Sequence, residues 1–338
     1  MLKKLSFALA LVTIGFIVWV THQLKQPQGG DFPEERVVEI PKGTGSRQIS
    51  TLLAEKGVVS SPWLFLTARA LRLRTTLQAG EYSFSKPASI WEIFDRIARG
   101  DVLLHELRIP EGSNLFDIAE AVEALGMGSK EAFRVAASDP TLIRDIDPEA
   151  TSLEGYLFPS TYRLSRRTTP AQICRLMTDQ FRAVWKKVGA PGKPHELVTL
   201  ASLVEKETGV DTERPMVAGV YKNRLARGIK LECDPTTIYA AILENRYRGK
   251  IHRSDLDNRH PYNTYQHEGL PPGPIANPGE ESLRAAIAPA DTENIFFVAK
   301  PDHSGGHNFS ANIHQHSIAV AAYRRGEKKA ASGVANGR

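Results

Sequence analysis

The feature that most constrains this chain is a turn written twice. Ile40-Pro41-Lys42-Gly43 and Ile109-Pro110-Glu111-Gly112 lie 69 residues apart. The same order of elements can be read around each copy. A short strand (Arg36–Ile40, His105–Ile109) runs into the Pro-x-Gly turn. A helix follows, with Ser46 or Ser113 placed to cap it. Its apolar residues recur at three- and four-residue spacing: Ile49, Leu52 and Leu53 in one copy, Leu115, Ile118, Ala121, Val122 and Leu125 in the other. Gly57 and Gly126 stand at the matching helix ends. A second helical stretch comes next (Trp63–Leu71, Lys130–Ala137), then an aromatic strand (Glu81-Tyr82-Ser83-Phe84, Tyr156-Leu157-Phe158). The pattern predicts an α+β region over residues 31–164, built from two weakly similar halves.

The first thirty residues set where that region sits. Lys3 and Lys4 precede an uncharged run from Leu5 to Thr21, and Lys25 closes it. A run of this length is at the short end for a membrane span and slightly long for a signal-peptide core. Trp19-Val20-Thr21-His22-Gln23-Leu24 makes a poor cleavage sequence, and Trp19 stands where an interfacial aromatic belongs. An uncleaved transmembrane signal anchor is therefore expected, with a removed signal as the alternative. Pro27-Gln28-Gly29-Gly30 reads as a flexible exit, so residues 1–30 form tail, anchor and linker. Either reading puts the remaining chain outside the cytoplasm, with the two lysines inside.

The chain of 338 residues has room for about two domains and a real core. Its net charge of +5 is spread rather than blocked, and no aromatic-plus-basic motif accompanies it, which sets nucleic acid aside as a partner. Cys174 and Cys233 form no CxxC pair; one disulfide or two buried thiols both remain open. After Leu164 the pattern changes. Residues 165–326 read as a mixed α/β domain that starts with a helix over Ala171–Val188 and a Gly/Pro loop at 189–194. The tail, 327–338, is Lys/Ala/Gly/Ser-rich and reads as disordered.

Leu197–Thr208 reads as a helix ended by Gly209. Leu200, Ala201, Val204 and Thr208 share one face, with Lys206 and Thr199 on the opposite, wet face. Glu205 falls beside Ala201 and Val198, on one shoulder. Glu207 falls beside Leu200 and Leu203, on the other, about 200° away. The two cannot share one site as an acid/base pair. A carboxyl against apolar neighbours loses hydration and holds its proton more tightly, as protonating a glycosidic oxygen requires. Both could equally be shoulder residues paired with arginines such as Arg214 or Arg224. Helix geometry does not choose between Glu205 and Glu207.

Ala201-Ser202-Leu203-Val204-Glu205-Lys206-Glu207-Thr208 resembles the central motif of the endolytic murein transglycosylases, the MltG (YceG-like) family. Five further stretches match in order. They are Glu154-Gly155-Tyr156-Leu157-Phe158-Pro159; Glu213-Arg214-Pro215 with Asn223-Arg224-Leu225; Asp234-Pro235-Thr236-Thr237-Ile238-Tyr239; Tyr262-Asn263-Thr264-Tyr265 with Gly269–Ile275; and Gly305-Gly306-His307-Asn308-Phe309 with His316. Cys233 departs from the small hydroxyl residue expected before Asp-Pro.

The resemblance implies that residues 165–326 are the catalytic domain and that Glu205 is its catalytic residue. It also implies a lytic transglycosylase at the inner membrane with its body in the periplasm. Such an enzyme cuts MurNAc–GlcNAc bonds within nascent peptidoglycan strands, leaves 1,6-anhydro-MurNAc ends and so terminates glycan elongation, beside peptidoglycan synthases. The strand–helix–helix–strand halves resemble LysM modules, so glycan contact by residues 31–164 is an added expectation. Two alternatives stay open: a non-catalytic peptidoglycan-binding membrane scaffold, and a muramidase that hydrolyses the same bond.

Tyr262, Asn263, Thr264 and Tyr265 precede a Pro/Gly-rich run that would hold a polar loop rigidly beside an extended ligand. They are candidate substrate contacts, with a structural Asn turn as the alternative. Glu154 and His307, from the matching stretches, join them as candidates. Asp234-Pro235 also reads as a helix cap with Pro at the first helical position. His303, His307, His314 and His316 have only Asp302 near ligand spacing, so no metal and no cofactor is expected. Ser202 and Ser310 lack a placed His/Asp set.

Overall fold

In the computed structural model of the chain, residues 2–29, 34–189, 192–302 and 304–335 are described. They fall into two compact units: residues 1–106 with 163–168, and residues 107–162 with 169–338.

In the first unit, α1 (Leu2–Lys25) exposes the apolar side chains of Phe7, Leu9, Val12, Phe16 and Val18, among others. Its last turn is different, because Leu24 is buried in the core of the unit. The next two residues, Pro27–Gln28, form β1 and pair antiparallel with β4 (Ala88–Ser89), and Gln28 is buried. The flexible exit expected here is thus a short built-in strand; Gly30 lies outside the described residues. Among the described residues, no helix is long and apolar enough to cross a membrane. The uncharged run Leu5–Thr21 spans about 25 Å as a helix, against a hydrocarbon core of about 30 Å.

β2 (Arg36–Ile40) is followed by α2 (Ser46–Glu55), α3 (Pro62–Leu71) and β3 (Gly80–Phe84). β2 and β3 pair antiparallel from Arg36↔Phe84 to Ile40↔Gly80. Alternate residues therefore share a face, and Val38, Ile40, Tyr82 and Phe84 point into the core with Phe65 and Phe94. α4 (Ile90–Arg99) starts at Ser89 with a capping box to Glu92 and ends at Gly100 in the left-handed region. Ser46 does not cap α2. It is the first helical residue, after Gly45.

β5 (His105–Arg108) and β6 (Thr161–Leu164) pair, and the boundary between the units falls within these strands. Between them lie α5 (Leu115–Ala124) and α6 (Lys130–Ala137), so the strand–helix–helix–strand order does occur twice. The closing strand of the second copy is not Tyr156-Leu157-Phe158. Those residues form a buried turn whose donors go elsewhere, Leu157 N to Asn277 Oδ1 at 2.8 Å and Phe158 N to Met177 O at 3.3 Å. Asn114, not Ser113, caps α5, in a box with Asp117. Ser113 Oγ instead turns back to Pro110 O. Residues 107–162 belong to the second unit, whereas the sequence pattern changes at Leu164.

The rest of that unit is helical apart from one pair of short strands. α7 (Pro170–Val188) starts in a capping box from Thr169 to Gln172 and ends at Gly189. α8 (Pro194–Glu207) packs against α9 (Arg214–Ala226), α10 (Asp234–Leu243) and α12 (Glu280–Ile287), with the short α11 (Arg253–Leu256) beside α10. Enclosed on several sides, α8 buries every residue from Val198 to Val204. Thr199, expected on a wet face, is fully buried for that reason. The helix stops at Thr208, one residue before the expected glycine. At α10 the N-cap is Cys233, with Asp234 already helical. The Asp234 carboxylate takes a hydrogen bond from Tyr265 OH at 2.7 Å instead of capping. β7 (Phe296–Ala299) and β8 (His307–Ser310) pair antiparallel beneath α13 (Ile313–Ala335). The tail expected to be disordered from Glu327 is helical to Ala335, and residues 336–338 lie outside the described residues.

Cys174 and Cys233 are free and buried. Burial pushes the Cys174 thiol up to about 12 and raises that of Cys233 as well. Both are expected to resist a water-soluble disulfide reagent in the native protein and to react in full after unfolding, without prior reduction. Fewer than two thiols after denaturation would contradict this.

Candidate active site

The site is assembled at the C-terminal end of α8. Ser202 Oγ donates to Thr199 O at 2.7 Å and accepts from Ile275 N at 3.1 Å, which lays the segment after Pro274 along the helix. Two residues on, Asn277 O accepts from Gly112 N at 3.0 Å and Asn277 N donates to Ser113 O at 2.9 Å. The Pro-Glu-Gly turn of the second repeat copy is thereby placed beside the last turn of α8. Lys206 Nζ fixes it further, donating to Gly112 O at 3.0 Å. Gly112 sits at φ +73°, and a Cβ there would lie 3.5 Å from Glu205 Cγ, so glycine suits both the turn and the close approach.

Glu205 is held from two directions. Gly279 N donates to Oε2 at 2.9 Å, and Arg214 Nη2 donates to Oε1 at 3.3 Å. Its side chain is only 5% exposed and that of Arg214 7%. Arg214 also pairs with Asp211 through Nη1 and lies 3.8 Å from Glu111 Oε2. Its Nε is buried with no hydrogen-bond partner among the described residues. Glu111, by contrast, is 51% exposed. Its carboxylate lies directly over Gly279, where an added Cβ would collide with it. Partial burial, then the charge of Glu205, push the Glu111 carboxyl above its ordinary range.

Three carboxylates therefore meet around one guanidinium, those of Glu205, Asp211 and Glu111, the last from the repeat turn. Glu207 turns away as the helical spacing required, into a buried setting beside Cys233 and Tyr221, and burial raises its carboxyl. Of the two arginines considered as ion-pair partners, Arg214 reaches Glu205. Arg224 donates mainly to the carbonyls of Ile295, Lys230 and Leu231.

The other candidates are placed unevenly. Asn263 is 0% exposed. Its Nδ2 donates to the carbonyls of Asp255, Leu256 and Asn258, and its Oδ1 accepts from Thr237 and from Tyr265 N. An amide so occupied has nothing left for a sugar. Thr264 is equally internal, with Oγ1 accepting from Cys233 N and paired with Thr236. Both hold the loop, which corrects their assignment as ligand contacts. Tyr262 is partly buried with its ring against Tyr239, and Tyr265 is tied to Asp234. His307 binds Glu213 through both its backbone N and Nδ1, beside Arg214 in sequence.

Glu154 is 3% exposed and faces no solvent. It accepts from Leu115 N, Tyr239 OH and Asn277 Nδ2 at 3.0, 2.9 and 3.0 Å. It thus supports the Asn277–Gly279 segment that carries the Glu205 contact, and is not positioned to touch a ligand. Glu111, Asn277 and Gly279 were absent from the sequence-derived candidates. A signal for Glu111 exists, because the two repeat turns differ at that position, Lys42 against Glu111.

This is an α+β protein whose acidic site lies where a repeat turn meets the end of a buried helix. The chain belongs to the YceG-like family, whose model matches residues 38–322. It is 30% identical to the endolytic murein transglycosylase of Bacillus subtilis over 85% of this chain and 84% of that one. It is also 30% identical to the endolytic murein transglycosylase of Streptococcus pneumoniae, over 78% of this chain and 54% of that longer one. A crystal structure of a YceG-like protein from Listeria monocytogenes superposes with a TM-score of 0.54 at 31% identity, covering 84% of this chain and 99% of that one.

Proposed function

We propose that this chain is a lytic transglycosylase that cuts peptidoglycan strands internally, with Glu205 as its acid and base. The observation that carries the reading is the placement of Glu205. It lies in the family motif, at the end of a helix buried from Val198 to Val204, beside a half-exposed second carboxylate. Glu205 protonates the oxygen between MurNAc and GlcNAc, and the C1–O bond breaks. The C6 hydroxyl of the same MurNAc then attacks C1, and Glu205 takes its proton, closing the 1,6-anhydro ring. An intramolecular nucleophile needs no bound water, and its effective molarity does much of the work. For Glu205 to act as an acid, Oε1 must be released. The Arg214 contact is the long one, and Asp211 and Glu111 are at hand to keep the guanidinium when sugar enters.

Glu111 also favours a second reading. Hydrolases of glycosidic bonds use two carboxyl groups, and Glu111 sets a half-exposed one beside Glu205. Mass analysis of the ends released from purified strands separates the two. A transglycosylase leaves MurNAc ends one water lighter than reducing ends. Reducing ends would make the protein a muramidase.

The exposed apolar surface of α1 supports membrane attachment through that helix, with the bilayer thinning to match a short span. The body then faces the extracytoplasmic side, where peptidoglycan lies. The strand–helix–helix–strand unit at residues 36–84 supports a LysM-like glycan contact there.

A further inference from the structure

We propose that Glu111 is a second catalytic residue of this site, a rim carboxylate that faces the sugar and opposes the positive charge growing at C1 while Glu205 handles the proton. The proposal rests on the transglycosylase or muramidase reading of the site, since both pass through an oxocarbenium-like state.

Three observations meet here. The first is the repeat. In the first copy the turn carries Lys42 in solvent, and a Cβ on its Gly43 would meet nothing within 4 Å. In the second copy the same turn is pressed against α8, and its central residue is a glutamate. A shared scaffold is thus reused to deliver a carboxylate to Glu205. The second is the contrast in exposure. Glu205 is enclosed and bonded on both oxygens, whereas Glu111 is half open and lies 3.8 Å from the same guanidinium. The third is Gly279. Its backbone N holds Glu205, and its bare Cα leaves room for the Glu111 carboxylate, which any side chain there would displace. The backbone of one residue serves both acids.

No bond to Glu111 forms. A fixed anion beside the developing charge lowers the barrier because it acts in a partly dehydrated site and needs no reorganisation. Both acids must then be present together, the enclosed one moving the proton and the open one holding charge.

The test uses the full-length protein with purified glycan strands, counting cuts per unit time for the wild type, Glu111→Gln and Glu111→Asp. The expected result is a kcat lower by about 100-fold in Glu111→Gln, with KM changed little and thermal midpoint unmoved. Glu111→Asp, which keeps the charge, should recover a large part of the loss. An unchanged kcat in Glu111→Gln overturns the proposal. So does an equal loss in both variants that tracks a lowered thermal midpoint. Reducing ends from the wild type would overturn the transglycosylase reading alone, because the kcat ratio counts cuts and not the ends they leave.

Discussion

Glu205→Gln is expected to lower strand cleavage by at least about 100- to 10,000-fold, with no new product. The amide keeps the shape of the side chain and can still accept from Gly279 N. It cannot give a proton to a glycosidic oxygen or take one from a hydroxyl. Arg214 loses one partner, but Asp211 and Glu111 remain beside it. The stability loss should therefore stay near about 1–2 kcal/mol, well short of that for an orphaned buried charge. Activity and thermal midpoint, measured on one preparation, separate the two effects. A variant that keeps cutting at a comparable rate would remove Glu205 from the chemistry.

Glu154→Ala is expected to be the most destabilising single change at the site, by about 3–5 kcal/mol. The substitution strands three buried donors: the first N–H of α5, the Tyr239 hydroxyl and the Asn277 amide. It also removes one of the bonds that hold Asn277, which carries the turn of Glu111 on one side and leads to Gly279 on the other. Folding and cleavage should fall together. A pH signature accompanies the loss. Burial pushes the Glu154 carboxyl up to about 7 from an ordinary 4.5. The native state therefore binds its proton more tightly than the unfolded chain does. The extra stability is fully present below about pH 4.5 and is lost as pH rises through about 7, by about 3 kcal/mol in total. Urea midpoints for the wild type minus Glu154→Gln should show this decline between pH 5 and pH 8. A difference that stays flat, or grows with pH, would mean the carboxyl is not shifted this way.

Much of the helical framework could be read directly from residue patterns. The Thr169–Gln172 box and Gly189 bound α7 as periodicity suggested, and the duplicated turn marked both strand–helix–helix–strand copies. What misled was local polarity and local apolarity. Tyr156-Leu157-Phe158 has the composition of a strand, but the backbone donors of Leu157 and Phe158 are met by an asparagine side chain and by a carbonyl in the middle of α7. Asn263 and Thr264 look like ligand contacts in a rigid loop, yet the loop is rigid because they spend their hydrogen bonds inside it. Thr199 faces inward because α8 is enclosed by neighbouring helices, which its own periodicity does not reveal. Glu205 was legible through its motif, whereas its partners were not. Arg214 was one of two plausible arginines, and Glu111 reaches the site only through the folding of the repeat turn onto α8.

The most direct measurement is to run the cleavage in oxygen-18 water and weigh each new MurNAc end. If the sugar's own hydroxyl closes on C1 under Glu205, solvent oxygen never enters the product, and the new ends carry no label. One heavy oxygen per cut would show that water is the nucleophile, and would contradict the mechanism assigned to this site.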